Sequence, residues 1–148
     1  MLQGIIQIIM AVIGSLGFAI LFNIKRDKLS IIGIGSAIGW ICYLFFLSYN
    51  GNKIITLFLT TTILSLFSEI LARKIKTPVI VLLVPILIPL IPGGDLYYTM
   101  YNLVIGNVDK FIYYFSLVMK EAAAISFGII IVTSIMQILT KFQRYKIK

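Results

Sequence analysis

The chain has 148 residues, is 60% hydrophobic and only 12% charged, and has a mean hydropathy of +1.06. That composition excludes a soluble domain and describes a polytopic membrane protein with no room for a separate water-soluble unit. The net charge of +8 is not a nucleic-acid signal, because the basic residues sit at the ends of apolar runs, where membrane topology places them.

Two further classes drop out on composition. There is no histidine, which excludes His-ligated metal sites, Ser-His-Asp triads and Cys-His pairs within the chain. The single cysteine, Cys42, lies in an apolar run and has no internal disulfide partner.

The first apolar run, Leu2–Phe22, carries no charge and is followed, not preceded, by Lys25, Arg26 and Lys28. That order predicts a retained anchor with its N-terminus outside, not a cleaved signal peptide. Gly14 and Gly17 offer a smooth packing face. The second span is Ser30–Tyr49. Gly35 and Gly39 form a G-x-x-x-G pair there, widened by Gly33 and Ser36, and predict close helix contact. Tyr49 is placed for the interface, while Trp40 lies near mid-span and is expected against protein.

Asn50-Gly51-Asn52-Lys53 reads as a short turn. The third span, Ile54–Leu71, ends in Glu69, with Arg73 four residues on. An i,i+4 ion pair is the plain expectation; a proton or charge relay through Glu69 and Arg73 is the alternative.

The stretch Lys76–Asn107 departs from plain membrane helix. It holds all four prolines, Pro78, Pro85, Pro89 and Pro92, then Gly93-Gly94-Asp95 and the tyrosines Tyr97, Tyr98 and Tyr101. On a helix the four prolines fall within roughly 60° of one face. Each removes an N–H and strands the carbonyl four residues earlier, so Pro85, Pro89 and Pro92 would free the carbonyls of Val81, Pro85 and Ile88. Irregular backbone at membrane depth is tolerated where it is buried in protein or lines a cavity, and broken helices often frame transporter sites. Val79–Ile91 would rise only about 20 Å, short of a bilayer core of about 30 Å. Two arrangements follow. The helix continues through Pro92-Gly93-Gly94 and surfaces near Tyr97–Tyr101, or it stops at mid-depth and Leu96–Ile105 completes the crossing. In the second arrangement Asp95 is a buried acid and so a functional site.

Gly106–Lys110 reads as a turn, and Phe111–Met119 as interfacial or as a helix extension. The last span, Glu121–Leu139, places Glu121 near an interface, with a small-residue face of Ala122, Ala123, Ala124, Ser126 and Gly128. The expectation is therefore an all-α polytopic membrane protein. It forms a single transmembrane domain with spans of about 2–22, 30–49, 54–71, 78–98 and 121–139, the fourth broken at Pro-Gly-Gly. Ten basic residues fall on one side and three on the other, which puts the N-terminus outside and the C-terminus in the cytoplasm. Five spans also leave no even inverted repeat, so a second transport half would come from another chain.

Four segments together carry a resemblance. GFAILFN (Gly17–Asn23) looks like a first-helix exit, AIGWICY (Ala37–Tyr43) like a Gly-Trp second helix, and SEILARKIKTP (Ser68–Pro78) like an acidic-then-basic helix end. VPILIPLIPGGDLYYTM (Val84–Met100) resembles P-G-x-x-P-x-x-P-G-G followed by Tyr, with Ile86 in place of the first glycine. Over nearly its whole length the chain resembles the small-subunit half of the threonine/serine exporter family of bacterial inner-membrane proteins.

The resemblance implies proton-coupled secondary export of threonine and serine, or of a dicarboxylate such as succinate. It implies a larger subunit of the same family as partner, an oligomeric assembly, no cofactor and no enzymatic activity. The path would involve Pro85, Pro89, Pro92, Gly93, Gly94, Asp95, Tyr97, Tyr98 and Asn102, with Asp95 holding a substrate ammonium or a coupling proton. A dicarboxylate would meet the wrong charge at Asp95 and would need Arg73 or the partner instead. The alternative is an assembly subunit that stabilises a larger transporter chain without a path of its own. An intramembrane enzyme ranks far below both, because Ser68, Glu69 and Asp95 alone make no catalytic site.

Overall fold

A computed structural model describes residues 2–146. Its elements are helices throughout: α1 (Leu2–Leu21), α2 (Leu29–Asn50), α3 (Lys53–Lys74), α4 (Val79–Leu87), α5 (Gly93–Val104) and α6 (Val108–Lys146). A single 3₁₀ turn precedes α2 (Arg26–Lys28) and another follows α4 (Ile88–Leu90). Four of these helices are long and apolar enough to cross a membrane, and α4 with α5 makes a fifth candidate span bent by 63°.

The breaks fall where the backbone has a local reason. Gly51 closes α2 in the left-handed region at φ 64°, a conformation that costs glycine nothing. Asn52 then caps α3, its side chain accepting from the N–H groups of Ile54 and Ile55. Gly106 turns the chain at φ 73°, and the Asn107 side chain accepts from the N–H of Lys110 at the start of α6. Between α4 and α5 the chain does not continue as one helix. The N–H of Ile91 donates to the carbonyl of Ile88, and Pro92 stands as the N-cap of α5.

α3 is the central helix. Its residues Leu57 and Leu64 are buried, and so are five hydroxyl side chains: Thr56, Thr60, Thr61, Ser65 and Ser68. α2 packs on it through Gly39. A Cβ at Gly39 would lie 2.7 Å from Leu64 Cδ1, and one at Gly35 would lie 2.6 Å from Ile86 Cδ1 of α4. The G-x-x-x-G pair thus receives Leu64 and Phe67 of α3 and Ile86 of α4, the close helix contact that the sequence leads one to expect. Gly14 and Gly17 behave differently, with nothing within 4 Å of either position, so α1 does not use them against the rest of this chain.

α6 runs parallel to α3. Lys53 faces Glu121, Thr61 faces Gly128, and Arg73 reaches Thr140. The buried positions of α6 are Val118, Glu121, Ala124, Gly128 and Val132, a stripe of three- and four-residue steps. Of the expected small-residue face, Ala122, Ala123 and Ser126 point outward, and only Ala124 and Gly128 meet α3. The helix expected from residue 121 already begins at Val108. The stretch before Glu121, roughly 20 Å of helix, pairs with α5 instead of α3. The α5–α6 hairpin therefore extends past the N-terminal end of α3.

Candidate functional site

The site forms where three helix starts or edges converge: the first residue of α3, the first turn of α5, and one face of α6. Lys53 opens α3. A cation at a helix N-terminus opposes the helix dipole, so its place there needs other compensation. Two carboxylates provide it. Lys53 Nζ lies 2.6 Å from Asp95 Oδ2 and 2.6 Å from Glu121 Oε1. The side chains are exposed in very different degrees, 44% for Lys53, 19% for Asp95 and 2% for Glu121.

Charge does not close in this cluster. One ammonium is shared by two carboxyl groups, and the second oxygen of Glu121, Oε2, is buried with no hydrogen-bond partner. Buried charges are ordinarily paired and hydrogen-bonded throughout, so a lone carboxyl oxygen at this depth marks a position with an unfilled requirement.

A cavity of about 200 Å³ adjoins the cluster. One wall is Trp40 and Tyr43 of α2 with Lys53 and Leu57 of α3; the other is the irregular backbone from Pro89 to Gly94. Its volume equals roughly seven waters, at about 30 Å³ each. Gly93 and Gly94 keep this wall low: a Cβ at either would meet nothing within 4 Å. The indole N–H of Trp40 donates to the side chain of Gln7 on α1, and the rings of Trp40 and Tyr43 pack with centroids 5.1 Å apart. The first turn of α5 has no side-chain cap; the N–H of Gly93 donates to the carbonyl of Ile91, and those of Gly94 and Asp95 are left available to an anion.

The structure gathers some of the residues expected from sequence and scatters others. Pro89, Pro92, Gly93 and Gly94 line the cavity, and Asp95 stands beside it through Lys53. Pro85 is buried inside α4 and lines no part of it. The carbonyl of Ile88, expected to be stranded by Pro92, accepts from Ile91, because the 3₁₀ turn closes one residue tighter than an α-turn. Tyr97 and Tyr98 are exposed on the α5–α6 hairpin, where Tyr98 stacks on Tyr114. Asn102 is buried, and its amide donates to the carbonyl of Tyr98 within its own helix.

Glu69 and Arg73 form the expected i,i+4 ion pair, with Arg73 Nε and Nη2 donating to Glu69 Oε2 at 3.2 and 3.1 Å. Arg73 also donates to Thr140 and to the carbonyl of Met136, tying α3 to α6. This pair lies about 24 Å along α3 from Lys53, by helical rise. It belongs to the other end of the bundle. Between the two charged ends run Thr56, Thr60, Thr61, Ser65 and Ser68, each with a buried hydroxyl that has no partner.

Three features of the site escape a reading of the sequence alone. Lys53 registers there as a turn residue and Glu121 as an interfacial one, and the α3 hydroxyls before Ser68 do not register at all. The signal that points to them is a lysine where a helix dipole disfavours it, and hydroxyls recurring at four-residue spacing along an otherwise apolar helix. Among the described residues no group of three His, Cys, Asp or Glu stands close enough to hold a metal ion.

A family model described as Threonine/Serine exporter, ThrE, matches residues 7–135, a stretch that reaches into all six helices and contains every residue of the charged cluster. No curated protein and no solved structure matches the chain.

Proposed function

The chain belongs to the threonine/serine exporter family, and from that premise we propose that it forms the substrate-bearing part of a secondary exporter of small polar metabolites. The family is one of membrane transporters, and the chain is a multi-pass membrane protein. The finer reading is a small subunit in the bacterial inner membrane, N-terminus outside, working with a larger subunit of the same family and driven by protons. Its odd number of candidate spans, with the bent pair counted as one, supports a partner, since the chain has no even inverted repeat of its own.

The observation that carries the substrate reading is the cavity between the broken helix and the Lys53–Asp95–Glu121 cluster. Its polar groups suit a zwitterion. The uncapped start of α5 suits a carboxylate. The excess carboxyl charge and the rings of Trp40 and Tyr43 suit an ammonium. A dicarboxylate such as succinate meets the same excess negative charge and is disfavoured. This favours threonine and serine over succinate as the solute.

The test uses inside-out vesicles containing this chain, a larger family subunit, or both. Uptake of labelled threonine, serine and succinate is followed under an imposed pH gradient. Threonine or serine uptake only when both chains are present supports the proposal. Equal uptake by the larger subunit alone makes this chain an assembly subunit, and preferential succinate uptake overturns the substrate assignment.

A further inference from the structure

We propose that Glu121 is the residue that binds and releases the coupling proton, with Lys53 as the latch that moves between it and Asp95; this rests on the transporter reading above. The starting point is the charge count. Lys53 is bonded at 2.6 Å to both carboxylates, so with both ionised the cluster carries one uncompensated negative charge. That charge is concentrated at Glu121 Oε2, which is buried and without a partner, whereas Asp95 is 19% exposed and within reach of water. A buried carboxylate oxygen in this condition requires a proton or a cation. A metal ion there would sit against the Lys53 ammonium, which lies 2.6 Å from both carboxyl groups, whereas a proton needs no further ligand.

The groups facing Glu121 come from each packed element. They are Lys53 of α3, Asp95 of α5 and the phenol of Tyr43 on α2, which lies within electrostatic reach of all three charges. On α6 itself the neighbouring Lys120 lines the apolar groove between α3 and α6, with Ile54, Phe58 and Phe127. The charge at the opposite end of the bundle is already balanced, because Glu69 and Arg73 form a one-to-one ion pair.

The step balances simply. A proton adds to Glu121, which becomes neutral. Its bond to the Lys53 ammonium weakens, and Lys53, keeping all its protons, remains with Asp95 as a one-to-one pair. The cluster goes from one net negative charge to none, and the walls of the adjoining cavity carried by Lys53 change with it. Release of the proton reverses each change. Two states that differ in one proton and in the position of one cavity-lining side chain are what a coupled transporter requires of its ion site.

The test separates carrying a proton from holding the fold. Glu121→Gln keeps the Lys53–Asp95 pair and removes only the titratable group. In vesicles holding the full chain with a larger family subunit, exchange of labelled for unlabelled substrate at equal pH is expected to persist at saturating substrate, with a higher half-saturating concentration because the cluster has lost its excess negative charge. Transport driven by a pH gradient is expected to fall by roughly tenfold or more, because no proton is carried. Loss of both activities, or retention of both, overturns the proposal.

A second readout needs no substrate. Infrared spectra of the purified chain, followed from about pH 5 to about pH 9, should contain a protonated carboxyl band that titrates, is absent in Glu121→Gln and persists in Glu69→Gln. A band that survives Glu121→Gln, or no such band at any pH, overturns the assignment. If the wild-type vesicles move no substrate at all, the transporter reading falls, while the infrared experiment still decides whether Glu121 takes up a proton.

Discussion

Removing the latch itself gives the sharpest physical prediction. In Lys53→Met the two carboxyl groups lose their shared ammonium. The two oxygens that contact Lys53 Nζ are at most about 5 Å apart, so two ionised groups at an effective dielectric of 20 repel by about 3 kcal/mol. The interior limit would give more, but Asp95 is partly open to solvent and the higher dielectric applies. Protonating either carboxyl relieves the repulsion. The sign is therefore fixed: the variant gains stability as pH falls and loses it as pH rises, by about 3 kcal/mol relative to the wild type. The assay is thermal unfolding in detergent or nanodiscs at several pH values. Lys53→Met/Glu121→Gln provides the second half of a double-mutant cycle. With Glu121 neutral no like-charge pair remains, and the pH dependence should flatten. The reasoning fails if Lys53→Met unfolds at a temperature that does not move with pH, or if adding Glu121→Gln leaves its pH dependence unchanged.

Other positions give simpler expectations. A Cβ at Gly128 would lie 3.0 Å from the Phe58 carbonyl oxygen and 3.1 Å from the Thr62 nitrogen, and backbone atoms cannot swing aside. Gly128→Leu should therefore cost about 3 kcal/mol by overpacking, while Gly17→Leu, with nothing within 4 Å, should unfold like the wild type within error; thermal melts compare them. Gly94→Leu has open space around its Cβ, so the chain should still fold and assemble with its partner while transport falls, which co-purification and vesicle uptake measure together. Arg73→Met strands the carboxylate of Glu69, whose side chain is 8% exposed, and frees the neighbouring end of α6. A loss of about 3 kcal/mol is expected, largely recovered in Arg73→Met/Glu69→Gln.

Much of the architecture is legible without coordinates, and for local reasons. The turns at Gly51 and Gly106 depend on glycine's tolerance of positive φ, and the starts of α3 and α6 on the asparagines that follow. Glu69 and Arg73 meet because i and i+4 share a helix face. The break before Gly93 follows from Pro92, although the sequence predicts a stranded Ile88 carbonyl, and a 3₁₀ turn supplies that carbonyl with a donor instead. The failures share a cause. Gly14 and Gly35 look alike in sequence, but only Gly35 faces a neighbouring helix with a side chain to insert, and that depends on how the helices are oriented.

The sequence by itself determined the membrane class, the apolar runs, the proline-glycine break and the family. All of these are properties of composition or of residues within a few positions of one another. The charged cluster was decided only by tertiary structure. Lys53 and Asp95 are 42 positions apart, and Glu121 lies further still along the chain. They meet because α3 and α6 run parallel and because the bend after α4 delivers the first turn of α5 to the same end of the bundle. Periodicity assigns a residue to a face of its own helix. Which face of which other helix it meets is a matter of packing, and here packing leaves two carboxyl groups to share one ammonium.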